Sequence, residues 1–155
     1  LDLPARLSGH RLFREMRYLL DALPAGETTK GGARSANRQP VTPAAGVERL
    51  RQLARRKDLE GTRWHGVAMF RLALFTYNQT QEPSQSLPLY RKMLRRYPNH
   101  EMSEKAHVYY CLDAIELEKE ELAEKAVRGF LEKYPDSEFR KLVQKRLRLM
   151  KEESR

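Results

Sequence analysis

The chain of 155 residues is poor in the elements that mark several large classes of protein. It has one cysteine, Cys111, so neither an internal disulfide nor a cysteine metal cage can form. No apolar run approaches the roughly 20 residues of a membrane-spanning helix. Because Cys111 lies in the apolar run 108–112, we expect it to be buried as a small hydrophobic residue.

The motifs of common enzyme classes are also missing. The histidines His10, His65, His100 and His107 show no HExxH or similar spacing on one predicted helix. There is no GxxxxGKS/T phosphate loop and no Gly-x-Ser-x-Gly nucleophile elbow. The carboxylates between residues 116 and 124 cluster at a predicted helix end and turn, where nothing shifts their acidity for catalysis. We expect a protein without catalytic activity, cofactor or metal.

Charge of positive sign is abundant. The formal net charge is +9, with 33% charged residues and 40% hydrophobic residues, a balance typical of one globular domain with a charged exterior. Basic clusters occur at 55–57, at 95–96 and between 140 and 148. They keep nucleic-acid binding open as an alternative function, although no aromatic residues interleave with them as stacking platforms.

The first 46 residues divide into a predicted helix and a predicted linker. Residues 10–23, HRLFREMRYLLDAL, place six apolar side chains on one side at helical spacing. Residues 24–46 are rich in Pro, Gly and small polar residues and show no apolar periodicity. We expect 1–23 to be an amphipathic helix that packs on its own domain or on a partner. A peripheral attachment to acidic lipid through this helix is a further alternative.

From Val47 to the end, the pattern is helical throughout. Helices are predicted from Val47, after a Thr62 cap, from Ser86 to Tyr97, over 103–118, over 121–134 and from about 137 to 150. Pro98 and Pro135 separate successive units. The fold class that follows is all-α, with residues 47–155 forming one helical domain.

Two stretches of this domain repeat one pattern. SLPLYRKMLRRYP (86–98) and AEKAVRGFLEKYP (123–135) match in small, apolar, aromatic and proline positions, at an interval of 37 residues. A helix pair that recurs at a fixed interval is typical of a solenoid, in which neighbouring pairs share a core. We expect a short array of helix pairs with a capping helix at its C-terminal end.

The spacing resembles the tetratricopeptide repeat family. In the first helices, Phe70, Ala73, Leu74 and Tyr77 stand 37 residues before His107, Tyr110, Cys111 and Ala114, at the family's aromatic, leucine, small and tyrosine positions. The resemblance implies a right-handed solenoid of antiparallel helix pairs, with His107 packed as an aromatic. The interval is longer than the family's usual 34 residues. RRYPNHEMSEKA and FLEKYPDSEFRKLV look most like the longer variant in bacterial envelope proteins, which implies a periplasmic or envelope location, with the cytoplasm as the alternative.

In that family the first helices line a groove that holds a peptide or a helix of a partner protein. The residues predicted here to line it share one face of two first helices: Arg71, Phe75, Asn78, Val108, Leu112, Ile115 and Glu116. The run 108–112 exceeds one helical turn, so part of its circumference should face a ligand, or the predicted helix at 10–23 folding back on the domain. The alternative is that Val108 and Leu112 pack internally. The predicted function is a protein-interaction scaffold within a larger assembly.

Overall fold

A computed structural model describes residues 43–154 of the chain. They form six α-helices and one short 3-10 helix: α1 (Pro43–Arg55), the 3-10 helix (Lys57–Leu59), α2 (Arg63–Thr80), α3 (Pro83–Arg96), α4 (Ser103–Glu116), α5 (Glu120–Lys133) and α6 (Arg140–Glu153). No strand occurs within 43–154, and the all-α prediction is confirmed for these residues. The predicted helix at 10–23 and the linker as far as residue 42 lie outside them.

Prolines set two helix starts earlier than predicted. Helix α1 begins at Pro43, so the last four residues of the predicted linker, 43–46, are helical. Helix α3 begins at Pro83 rather than at Ser86, which lies inside the helix. Proline suits the first helical turn because its φ is already fixed there and no backbone donor is needed. The Thr62 cap is confirmed, since its hydroxyl accepts from the His65 amide at 3.2 Å.

Helices that follow one another in sequence pack against each other, and α4 also packs against α6. Two clusters of buried apolar side chains result. The first joins α1, α2 and α3 to the first half of α4, and the second joins α4, α5 and α6 to Leu87 of α3. Tyr110 and Leu112 pack against both clusters and connect them.

Helix α2 is buried around most of its circumference. Twelve of its 18 residues are buried, in the runs 65–70 and 72–77. The 108–112 segment of α4, which was predicted to be only partly covered by neighbouring helices, keeps Tyr110 and Leu112 half-exposed. A helix apolar on all sides belongs in the interior. Helix α2 is therefore the centre of the first cluster.

A hydrogen-bonded group fixes the start of α2 against the turn after α3. The Tyr97 hydroxyl donates to Nδ1 of the buried His65 (2.5 Å) and accepts from the Gly61 amide (2.9 Å). His65 Nε2 donates to the Ala54 carbonyl at 3.0 Å, because a carbonyl can only accept. Every polar atom of the His65 ring is thus used in holding α1, α2 and α3 together.

Candidate partner-binding surface

The structure separates the seven residues predicted to line a partner groove. Phe75 and Val108 are buried, 5% and 3% exposed, and belong to the first and second core cluster respectively. Both side chains pack in the core and present little surface, so the predicted groove would depend on the other five residues. The others are half-buried or exposed: Arg71, Asn78, Leu112, Ile115 and Glu116.

Polar contacts mark the face between α2 and α4. The Tyr77 hydroxyl contacts both carboxylate oxygens of Glu116, at 2.8 and 3.0 Å, so Glu116 ties the end of α4 to the end of α2. The Arg71 guanidinium lies 5.8 Å from the centre of the Phe70 ring. Asn78 Nδ2 is buried and has no hydrogen-bond partner among residues 43–154. Selective contacts with a partner would have to come from these three polar side chains.

An open apolar groove lies elsewhere, between α5 and α6. We name it the α5/α6 groove; it measures about 520 Å³, and its lining residues are Glu124, Val127, Arg128, Leu131, Glu132, Gln144, Leu147, Arg148 and Lys151. Val127 is buried, while Leu131 and Leu147 are half-buried with part of each side chain toward solvent. The floor is apolar and charged side chains form both borders.

The α6 residues that line the groove continue the 37-residue pattern of the preceding helices. Its four lining residues from α6, at 144, 147, 148 and 151, each stand 37 residues after His107, Tyr110, Cys111 and Ala114 of α4. In α4, these positions lie against α5: the His107 ring meets Phe130 edge-on at 5.6 Å, and Cys111 and Ala114 are fully buried. In α6, the same positions border the open groove. No helix among residues 43–154 follows α6 to cover them.

Ion pairs neutralise part of the border of the α5/α6 groove. Lys151 of α6 bonds to Glu124 of α5 and lies 3.6 Å from Glu120. The hydrogen bond that Lys151 donates to Glu124 raises the pKa of the Lys151 ammonium above its ordinary value. Arg128 and Glu132 of α5 form no ion pair with any residue in 43–154. These two exposed charges are available to a ligand of the groove.

A second surface feature is basic. The α3 basic face consists of Arg91, Lys92, Arg95 and Arg96 beside Pro88, around a depression of about 420 Å³. Arg96 pairs with Glu60 at 2.7 Å, whereas the other three cations make no ion pair within residues 43–154. Of the other basic clusters, Arg56 bonds to Asp58 and Arg148 lies 3.7 Å from Glu152. Lys141, Lys145 and Arg146 of α6 are also exposed and make no ion pair within residues 43–154, so unpaired positive charge lies on both α3 and α6.

The titratable side chains that could support chemistry are engaged in packing. Burial raises the pKa of the Cys111 thiol to about 12, and the predicted burial of Cys111 is confirmed. Burial also lowers the pKa of His107, which packs on aromatic rings as expected. His100 accepts from the Met102 amide and donates to the Arg63 carbonyl. Within 43–154, no group of three His, Cys, Asp or Glu side chains is arranged to hold a metal ion.

Sequence reasoning did not single out the α5/α6 groove. Three of its four α6 positions, Gln144, Arg148 and Lys151, are polar, so they do not resemble the apolar residues of α2 and α4. They can be found only by counting a further 37 residues from the corresponding positions of α4.

None of the helices in 43–154 is long and apolar enough to cross a membrane. Searches against protein-family models, curated proteins and solved structures give no significant match to the chain.

Proposed function

We propose that the chain is a non-catalytic protein-interaction module of the tetratricopeptide type, a right-handed array of antiparallel helix pairs that binds an amphipathic helix of a partner protein. The proposed binding site is the α5/α6 groove. The observation that carries the proposal is the open apolar floor of this groove. In the pair formed by α4 and α5, the matching positions of α4 are covered by α5, whereas in α6 they border the open groove.

Contacts between helix ends support the array. Gly61 and Tyr97 join the start of α2 to the end of α3, as expected for an antiparallel pair. Tyr77 and Glu116 join the ends of the two first helices, α2 and α4. Lys133 at the end of α5 donates to the Pro98 carbonyl just after α3, so the ends of the two second helices are adjacent. This arrangement is expected when successive pairs stack in one direction.

The chemistry of the groove supports a helical ligand. Val127, Leu131 and Leu147 offer an apolar strip, and an amphipathic helix presents a matching stripe of anchors at i, i+3, i+4 and i+7. Charged borders would leave the polar side of such a helix in water. Arg128 and Glu132 would select its flanking charges, because neither is neutralised within residues 43–154.

The test is a comparison of two variants of the full chain on one helix. Leu147→Glu places a charge in the groove, whereas Leu149→Glu makes the same change on α6 at a residue that does not line it. Each variant and the natural chain are immobilised and exposed to nuclease-treated native lysate, then washed at high salt. We expect specific polypeptides to be retained by the natural chain and by Leu149→Glu, and lost with Leu147→Glu.

Two outcomes would contradict this proposal. Retention of the same polypeptides by Leu147→Glu would remove the α5/α6 groove as the site, and absence of any retained polypeptide would remove the binding function. Circular dichroism of both variants at matched concentration checks that helical content is unchanged.

The face between α2 and α4 remains a prediction for partner binding. Its supporting observation is the buried Asn78 amide without a partner in 43–154, since a buried donor of this kind is uncommon in native structures. Asn78→Ala belongs in the same capture experiment. Loss of the retained polypeptides with Asn78→Ala but not with Leu147→Glu would move the site to this face.

The α3 basic face favours nucleic acid as the second candidate ligand. Arg91, Lys92 and Arg95 are exposed and make no ion pair within 43–154. Binding of this kind depends on counterion release and weakens steeply with salt. Arg91→Gln with Arg95→Gln should lower the affinity for a single-stranded oligonucleotide and flatten its salt dependence. An unchanged salt slope in this double variant would eliminate the α3 basic face as a nucleic-acid site.

A further inference from the structure

The α5/α6 groove lies at the end of the array, where the next helix of the pattern would pack. In the first pair the Phe70 ring of α2 contacts Tyr90 of α3 at 6.2 Å, and in the second pair His107 of α4 contacts Phe130 of α5. In α6 the corresponding position is Gln144, which lines the groove beside Leu147. One more helix laid over α5 and α6 would complete a third pair.

A segment of this chain has the length and pattern of such a helix. Residues 10–23 number 14, the same as each of α3, α4, α5 and α6. The buried residues of α5 follow the spacing i, i+3, i+4, i+7: Ala123, Ala126, Val127 and Phe130. The segment has apolar residues at the same spacing: Met16, Leu19, Leu20 and Leu23. Its apolar stripe therefore matches that of a helix that packs in this array.

The chain between this segment and α1 is long enough to reach the groove. Residues 24–42 number 19, which span up to about 63 Å when extended. Neighbouring helices lie about 10 Å apart, so the five steps from α1 to α6 cover at most about 50 Å even in a straight row. A tether of this length keeps the segment at a high effective concentration near the groove.

The flanking charges of the segment match the borders of the groove. At about 100° per residue, Arg17 and Glu15 fall on opposite sides of the stripe centred on Met16. The α5 border carries Glu132, without an ion pair in 43–154, and the α6 border carries Arg148. One of the two directions of the segment brings Arg17 toward Glu132 and Glu15 toward Arg148.

We propose that residues 10–23 fold as the missing helix and occupy the α5/α6 groove of the same molecule. The array then closes on itself, and a partner helix must displace this segment to bind. This inference rests on the proposed function only in taking the groove to accept a helix. The alternatives are a second copy of the chain supplying the segment, and a groove that residues 10–23 never enter.

Cross-linking of the full chain distinguishes these alternatives. Met16→Cys is combined with Leu147→Cys in the groove, or with Leu149→Cys outside it, and treated with a short flexible bismaleimide at low protein concentration. Cys111 stays silent because it is fully buried and its pKa is about 12. We expect a high yield of cross-link within one chain when Met16→Cys is combined with Leu147→Cys, and a low yield when it is combined with Leu149→Cys. Gel mobility and peptide mapping identify the cross-linked product. A cross-link between two chains, or equal yields at 147 and 149, would overturn the proposal.

A second variant separates this inference from the proposed function. Leu19→Asp in the full chain should release residues 10–23 from the groove. Amide exchange in α5 and α6 should then accelerate. The affinity for the partner should rise by about the ratio of molecules with the groove filled to molecules with the groove empty in the natural chain. Weaker capture would mean that residues 10–23 bind the partner themselves, and the inference would be wrong. If no partner is captured by any variant, the proposed function fails, and the cross-link and exchange results still decide the inference.

Discussion

Two glycines inside helices have opposite surroundings. A Cβ built at Gly66 of α2 would lie 2.6 Å from Cδ2 and Nε2 of His100, closer than such atoms approach in proteins, whereas a Cβ at Gly129 of α5 would lie 3.8 Å from His107, in ordinary contact. The His100 ring cannot turn aside without losing its bonds to the Arg63 carbonyl and the Met102 amide. Gly66 is therefore required for the close approach of α2 to the turn after α3.

We expect Gly66→Ala to destabilise the protein by about 1–3 kcal/mol, because the gain in helix propensity is smaller than the cost of displacing His100. Gly129→Ala is the matched control and should stabilise by up to about 1 kcal/mol. Urea unfolding followed by circular dichroism measures both. Equal stability of the two variants would show that His100 moves freely.

His107 should make stability depend on pH. Burial lowers the pKa of its imidazole, a hydrogen bond with the Ala126 backbone offsets part of this, and the charge of Lys133 lowers it further. The unfolded chain therefore takes up the proton first, and stability is lost as the pH falls from about 6.5 through the native pKa. We expect His107→Phe to reduce this loss while keeping the ring contact with Phe130. The urea midpoints of the natural chain and of His107→Phe, measured at about pH 7.5 and about pH 5.5, test this expectation. If both proteins lose the same stability between the two pH values, the loss comes from groups other than His107.

Helix α6 packs on α4 and α5 through the fully buried Val143. Because it is the last described helix, it should open more readily than the rest of the domain. Cys111 lies in the same cluster as Val143 and reports such opening, since its thiol is inaccessible in the closed form. Its rate of reaction with a thiol reagent therefore measures the stability of this one element.

We expect Val143→Ala to accelerate labelling of Cys111 more than Leu50→Ala, although the larger deletion at Leu50 should cost more global stability, about 2–5 kcal/mol. Leu50 is a suitable control because it is buried in the first cluster, away from α6. Labelling is followed at about pH 8, where the unperturbed thiol would react readily. Faster labelling in Leu50→Ala would mean that α6 opens only when the whole domain unfolds.

The local elements were predictable from the sequence, and the surface was not. Thr62 and Pro98 mark helix ends through chemistry that acts within a few residues, so their roles could be read directly. The burial of Phe75 depends on neighbours from other helices, which periodicity along one helix does not reveal. The groove escaped notice because Arg148 and Lys151 differ in chemistry from Cys111 and Ala114, while only their place in the interval is shared.

At the scale of the molecule, two cores share few residues. Tyr110 and Leu112 alone among the partly buried apolar side chains described here pack against both clusters. In an array whose units interact only with neighbours, such shared contacts set how cooperatively the units unfold. Leu112, predicted to bind a partner, is thus placed where it couples the two halves of the domain.

We expect the natural chain to unfold in one transition in urea and Leu112→Ala to uncouple its halves. Trp64, the only tryptophan, reports the first half by fluorescence, and Cys111 reports the second through brief pulses of thiol labelling at each urea concentration. The two midpoints should coincide in the natural chain and separate in Leu112→Ala, since coincident probes are the mark of two-state unfolding. Leu122→Ala, which packs against the second cluster alone, should move both midpoints together. Coincident midpoints in Leu112→Ala would mean that contacts other than Leu112 join the two halves.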